Sequence, residues 1–247
     1  MRLPLQTIGV VVLHCAIAQA DTILLEDFED ATVSYTTNEP DQLGLLGANA
    51  YHGRVDFQDL PGNLIYNNRQ GSGFFGAQDT NSASGGSHTD TITLNWTGID
   101  ISNFTDISAS WFVAEDTAND TNEDWDIDSS VRLDFQIDGG GFFQFFAIES
   151  SSAVSGNTDP KVDTNFDGVG DGTAITDTFT QFNTALPNGS VLDVRLTITF
   201  LDQLEEDIAF DSLLVEGTST AVPEPASLSI FGISAIGMVG FSRRRRV

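Results

Sequence analysis

The chain has 247 residues, with 36 acidic against 10 basic side chains and a formal net charge of −26 at pH 7. Five of the arginines sit at the extreme ends, Arg2 and Arg243 to Arg246, so the body between them is more acidic still. Such a surface repels nucleic acid and anionic lipid, attracts divalent cations and keeps the protein soluble.

The N-terminus starts basic at Arg2, runs apolar from Ile8 to Ile17 and ends Ala18-Gln19-Ala20. That order predicts a secretory signal peptide over residues 1–20, cut after Ala20 by signal peptidase once the Sec machinery has exported the chain. The single cysteine, Cys15, leaves with it, so the mature body uses neither thiols nor disulfides.

From residue 21 onward the apolar residues alternate. Ile92, Leu94 and Trp96 share one face. Val131, Leu133, Phe135 and Ile137 oppose Arg132, Asp134 and Gln136. Leu192, Val194, Leu196, Ile198 and Phe200 oppose Asp193, Arg195, Thr197 and Thr199. Period two over such lengths predicts half-buried strands. Further strands are expected at 22–28, 32–36, 63–66, 74–77, 108–113, 142–148, 178–182 and 207–215, separated by Gly, Asn, Asp and Ser. The fold class is therefore all-β, an antiparallel β-sandwich of jelly-roll or lectin-like type over residues 21–217, with a linker at 218–222. Trp96 and Trp111, lying in strands, are expected in the core.

Three acidic features could carry function. The run "EDTANDTNEDWDIDSS" crowds Glu115, Asp116, Asp120, Glu123, Asp124, Asp126 and Asp128 between two strands. It reads as a solvated loop, with Trp125 in its middle either a ligand contact, since exposed indoles stack on sugar rings, or a side chain folded back onto the core. The run "DTNFDGVGDG" places Asp163, Asn165 and Asp167 at alternate positions, then Gly168, Val169 for a backbone carbonyl, and Asp171 at the ninth position. That is the first part of an EF-hand-type calcium loop. Ala174 stands where the closing glutamate belongs, and Asp177 is the candidate to replace it. The pattern is closer to the helix-free calcium loops of thrombospondin-type or dockerin-like repeats. The competing reading is an Asp/Asn/Gly turn without an ion.

The segments "ILLEDFED" and "EDIAFDSLLVEG" resemble the first and last strands of jelly-roll, carbohydrate-binding-module-like domains, which lie side by side. The resemblance implies a structural calcium shared by acids on those strands, here Glu26, Glu29 and Asp211. Asp211 has the opposite pleat phase to Ile208, so it is not required to be buried.

Beyond the linker, Val222-Pro223-Glu224-Pro225 forces an extended backbone. An uncharged apolar segment follows at 226–242, then Arg243, Arg244, Arg245 and Arg246. As a helix the segment would be about 25 Å long, close to a bilayer core. The arginines would stay cytoplasmic and leave the acidic body outside. This three-part tail, over residues 223–247, resembles the PEP-CTERM sorting signal. The resemblance implies a Gram-negative bacterium, a transient inner-membrane anchor through the C-terminal helix with the body in the periplasm, processing near Pro223-Glu224-Pro225 by an exosortase, and delivery to the cell surface or extracellular matrix.

No nucleophile elbow, His-Glu-x-x-His or Glu-x-Asp-x-x-Glu is present, and His52 and His88 are isolated. The expectation is a non-catalytic surface or matrix protein associated with polysaccharide, with calcium as a structural cofactor. The alternatives are a secreted polysaccharide-active enzyme (glycoside hydrolase or lyase) and an ice-binding protein, a name attached to this kind of tail.

Overall fold

The computed structural model describes residues 20–43, 50–56, 60, 64–81, 89–116, 125–154, 156 and 158–220. The expected signal peptide except Ala20, much of the acidic run, and the whole sorting tail with its apolar segment, Pro223, Glu224, Pro225 and Arg243 to Arg246, lie outside the described residues. No helix among the described residues is long and apolar enough to cross a membrane.

The described chain is all β. In order the strands are β1 (Ala20–Glu26), β2 (Thr36–Thr37), β3 (Tyr51–Asp56), β4 (Gly73–Gln78), β5 (Thr91–Asp100), β6 (Phe104–Ala114), β7 (Ser130–Ile137), β8 (Phe143–Ser150), β9 (Pro160–Val162), β10 (Thr180–Ala185), β11 (Val191–Thr199) and β12 (Asp207–Ser219). One sheet runs β10-β6-β12-β4-β3, with β1 also paired to β12; the other runs β2-β5-β11-β7-β8-β9. Every strand pairing is antiparallel. The two sheets stack as a β-sandwich. First and last strands lie side by side, with Leu25 opposite Leu214.

The alternating segments fold as read. Ile92, Leu94 and Trp96 of β5, Val131 and Leu133 of β7, and Leu192, Val194, Leu196 and Ile198 of β11 all turn into the core between the sheets. There they meet Trp111, Phe75 and Phe210 from the other sheet. Each buried aliphatic or aromatic side chain removes apolar area worth about 1.5–3 kcal/mol from water, so this layer dominates the stability. Trp96 and Trp111 are each 1% exposed.

Several expected boundaries differ. Phe200, expected as the last inward residue of β11, lies beyond the strand at φ 53° and is 37% exposed. The strand expected at 32–36 shrinks to β2, and no strand forms among the described residues of 63–66. β3 and β9 carry Gly53 and Pro160 and show little alternation, so the pattern hid them. β12 continues through Ser219, two residues into the expected linker, and the Thr220 N–H still donates to Asn103 O at 2.8 Å.

Asp211 settles a point that its pleat phase left open. Its pleat phase is opposite to Ile208, as read, yet it is 1% exposed. A second apolar layer of Tyr51, Val55, Tyr66, Phe74 and Phe179 covers that outer face of the sheet. Tyr66, Phe74 and Phe179 pack ring to ring, with centroids 5.3–6.1 Å apart. A register shift between Asp211 and Leu214, with Ser212 at φ 51°, then resets the phase so that Leu213 and Val215 point back into the main core.

Candidate functional site

Three carboxylates from sequence-distant segments converge at one end of the sandwich. Asp126 belongs to the segment entering β7, and Asp202 and Glu206 to the turn between β11 and β12. One oxygen from each lies within 4.8 Å of the others, the one such acidic group among the described residues.

Glu206 organises the site. It is fully buried. Its Oε1 accepts the Asp126 N–H at 2.9 Å and the Ser129 hydroxyl at 2.5 Å; its Oε2 accepts the N–H groups of Asp202 at 2.6 Å and Gln203 at 3.0 Å. One side chain thus ties two loops together. Burial raises its carboxyl pKa above the usual value, and the bonds from Ser129, Asp126, Asp202 and Gln203 oppose that rise. The four contacts use all four lone-pair positions of a carboxylate, so Glu206 supplies charge and geometry more than a ligand atom.

Asp126 and Asp202 are half-buried. Asp126 Oδ2 accepts Gln203 Nε2 at 2.9 Å, and Asp202 Oδ2 accepts Asn81 Nδ2 at 3.4 Å. Their Oδ1 atoms accept no hydrogen bond among the described residues. Gly156 completes the packing, because a Cβ there would stand 2.0 Å from Asp126 Oδ1. An open cleft of about 340 Å³ lies over this end, lined by Asp126, Ile127, Asp128, Gly156, Phe200 and Asp202. Ile127 is 43% exposed. Hard oxygen donors at this spacing suit a calcium ion, whose ligands lie 2.3–2.6 Å from the metal.

The 163–171 loop is built differently. Asp163, 1% exposed, accepts the N–H groups of Asn165 (3.1 Å), Phe166 (2.7 Å) and Gly168 (2.8 Å). Asn165 accepts from Asp167 N–H, and Asp167 from Val169 N–H. Asp171 Oδ1 accepts both the N–H and the hydroxyl of Thr164, which hold its pKa below the usual carboxylate value. Asp177 bonds Asn67 Nδ2 and the Thr178 hydroxyl, outside this network. The loop's acids therefore serve its own turns.

The terminal-strand acids are divided as well. Glu26 accepts from the Phe28 N–H and from the Ser34 N–H and hydroxyl. Glu29 holds Ser72 and Gly73, and Asp211 holds the Gln70 N–H at 3.2 Å. Glu29 and Asp211 thus brace one loop, and burial, with the Glu29 charge adding to it, pushes the Asp211 carboxyl up to about 6.

Trp125 takes the second of its two readings, and as a ligand contact it is corrected. It is fully buried in the main core, with its backbone bridged to Thr158. Hiding an indole removes a large apolar area from water, and the buried ring offers no face to a sugar. Asp202 and Glu206 were not singled out from the sequence. Glu206 sits in the string Glu205-Glu206-Asp207, and nothing local marks which of these turns to the loops.

Comparison with known proteins places the tail. Residues 221–246 match the PEP-CTERM protein-sorting motif. The motif marks an exported protein of Gram-negative bacteria, processed at the membrane by an exosortase. No match was found among curated proteins. Among solved structures, a cyclase from Fischerella sp. TAU is similar at 14% identity, covering 83% of this chain and 100% of its own, with a TM-score of 0.43. The K1 cleaved adhesin domain of Lys-gingipain from Porphyromonas gingivalis W83 gives 17%, 81%, 99% and 0.37. A family 35 carbohydrate-binding module from Clostridium thermocellum gives 12%, 80%, 98% and 0.34. Similarity at this level assigns no activity.

Proposed function

We propose that this exported protein acts at the cell surface or in the extracellular matrix, and that its acidic sandwich is a non-catalytic glycan-binding domain. The observation that carries the reading is the cleft over Asp126, Asp202 and Glu206. It combines exposed Phe200 and Ile127 with the carboxylates of Asp126, Asp128 and Asp202. A sugar needs an apolar surface for its ring face and a few oriented polar groups for its hydroxyls. Calcium held by the Oδ1 atoms of Asp126 and Asp202, in the field of Glu206, would order the two loops. With so few protein ligands it belongs to the weak class of extracellular calcium modules. The acids of 163–171 and the Glu26, Glu29 and Asp211 set have less to offer an ion, since most of their oxygens accept hydrogen bonds from backbone or side-chain donors nearby.

The test is a glycan array probed with the full chain in calcium and in chelator. Calcium-dependent signal that Phe200→Ala removes supports the proposal. Signal unaffected by Phe200→Ala moves the site elsewhere, and cleavage of any polysaccharide overturns the non-catalytic reading. Processing is tested separately, by comparing mass and fractionation of the chain in cells with and without an exosortase.

A further inference from the structure

The acidic body has only five cations, Arg54, Arg69, Arg132, Lys161 and Arg195, and the sequence scatters them. The fold sorts them. Arg54 donates to the carbonyls of Phe28 and Glu29, and Arg69 to that of Tyr66, so both hold loops. The other three emerge on one surface, the outer face of the sheet that contains β7 and β11. Alternation fixes this. Val131, Leu133, Ile148 and Leu196 turn into the core, so Arg132 and Asp134 of β7, Ala147 and Glu149 of β8, and Arg195 and Thr197 of β11 turn out. Lys161 of β9 stands opposite Glu149 and shares that face.

At its centre two arginines share one acid. Asp134 lies opposite Arg195 and is 3% exposed. Arg195 donates to its Oδ2 through Nε at 3.3 Å and Nη2 at 2.8 Å, which is enough to neutralise the buried carboxylate. Arg132 approaches the same oxygen only to 3.7 Å, beyond hydrogen-bond reach, and its side chain is 41% exposed. Its Nε is buried with no acceptor. A second arginine placed to brace Asp134 would bond it, because a buried donor left without an acceptor costs stability. The guanidinium of Arg132 is therefore surplus to the fold. Arg195 is fixed from below by the Phe142 ring, with Cζ 4.0 Å from its centre, and its Nη1 makes no hydrogen bond among the described residues.

Three cations, Arg132, Arg195 and Lys161, stand here against two acids, Asp134 and Glu149, and leave one positive unit. Asp193, the next outward acid along β11, leans the other way and accepts the Gly98 N–H at 2.7 Å. In a chain of net charge −26 this is a local reversal of sign. Thr197 and Ala147 lie opposite Arg132 on either side and form a low floor beside it. Phe142 is the apolar surface in contact with the pair, 38% exposed. A protein partner would want buried apolar anchors, which this floor does not offer. A hydroxyl, a small residue and one ring suit a sugar. The residual unit of charge matches a single carboxylate, and guanidinium forks match its plane. The field of the remaining body opposes a polyanion, so the carboxylates must be sparse along the ligand. We infer that Arg132 and Arg195 form a carboxylate-binding site on the outer face of β7 and β11, which takes a single uronic acid residue of an otherwise neutral polysaccharide. The site lies on a sheet face and not at the end of the sandwich, needs no calcium, and stands whether or not the Asp126 cleft binds sugar.

The experiment is isothermal titration of the full chain, in detergent so that the apolar tail is covered and in chelator so that calcium is absent. Three disaccharides are the probes: cellobiouronic acid, cellobiose, which has a hydroxymethyl group in place of the carboxylate, and cellobiose sulfate. Expected is saturable binding of the uronate with Kd on the order of 1 mM or tighter, and at least about tenfold weaker binding of the other two. Arg132→Gln should weaken uronate binding at least about tenfold, and Arg132→Lys, which keeps the charge and loses the fork, by several fold. Lys161→Gln makes the same change of charge farther along the face and should cost no more than about twofold. Phe200→Ala, in the cleft at the sandwich end, should change nothing. Absence of uronate binding by the wild-type chain at tens of millimolar (about 20 mM) overturns the inference. So does equal binding of cellobiose or its sulfate, which would mean that a carboxylate is not read. Equal losses in Arg132→Gln and Lys161→Gln would leave only a diffuse field, and a loss in Phe200→Ala would move the binding to the cleft; each overturns it. Circular dichroism checks the variants, and should Arg132→Gln misfold, Arg132→Lys against Lys161→Gln still decides.

Discussion

Two acidic regions of this sandwich use the same residues to opposite ends. In the 163–171 loop the acids are neighbours in sequence, and each bonds backbone a few residues away. At the Asp126–Asp202–Glu206 end they come from segments some eighty residues apart, and one buried glutamate gathers the donors of both loops while two aspartates keep an oxygen each. A motif dense in oxygen donors can spend most of them on its own turns. A sparse set brought together by strand ends can leave donors to spare.

The strongest way to break that contrast is to remove the organiser. Glu206→Ala strands the Asp126, Asp202 and Gln203 N–H groups and the Ser129 hydroxyl together. Losing the acceptor of several buried donors costs about 3 kcal/mol or more, read as a lower midpoint in urea denaturation. A midpoint near that of wild type would mean the two loops are not joined through Glu206.

A second test concerns the loop's buried end. Burial, with the nearby Asp163 charge second and Arg132 opposing, pushes the Glu149 carboxyl up to about 7. Folding therefore takes up a proton here, so stability rises as pH falls from above 7 toward the ordinary glutamate value and is lost again as pH rises through 7. The full shift converts to about 3 kcal/mol, and solvent screening of this incompletely buried group brings the expected span to about 2 kcal/mol. Thermal melts from pH 8 to pH 5 should show it, and Glu149→Gln should flatten the slope and raise the melting temperature at pH 8. Calcium should leave the slope in place. An ion seated by Asp163 would instead lower the Glu149 pKa and erase it, reversing the contrast between the two regions.

How much of this was legible depends on the range over which each cause acts. Alternation in β5, β7 and β11 is local and written in the order of residues, so the sandwich could be read. Asp211 shows the limit. Its pleat phase was legible, but its burial comes from Tyr66 and Phe179, far away in sequence, forming a second layer over the sheet. Trp125 stayed open between loop and core for the same reason, since charged neighbours describe the loop and not the core beneath it. Glu206 could not be distinguished from Glu205 or Asp207 because the choice among them is made by Ser129 and Asp126 across the sandwich end.

A smaller effect separates the regions by metal. If Asp126 and Asp202 hold calcium, a concentration about tenfold above the dissociation constant stabilises the fold by about 1.4 kcal/mol, seen as a rise of a few degrees in melting temperature. Asp126→Asn and Asp202→Asn should each remove most of that rise, and Asp167→Asn should not. A rise that survives both cluster substitutions and disappears with Asp167→Asn would return the ion to the loop.

The smallest effect expected is at Asp171, and its size is informative. The carboxylate is exposed and accepts two bonds from Thr164, which lower its pKa. A depressed carboxylate pKa contributes stability above the unfolded value, and that contribution is lost as pH falls through the folded one. Asp171→Asn should therefore lower the melting temperature slightly at pH 7, and the difference should shrink as pH falls through the folded pKa. Solvent screens the charge, so the neutral-pH loss should stay close to the error of a thermal melt. The calcium response should be unchanged, because Asp171 is occupied with its own loop. A large loss that calcium deepens would mean that Asp171 holds the ion and that Thr164 is only its resting partner.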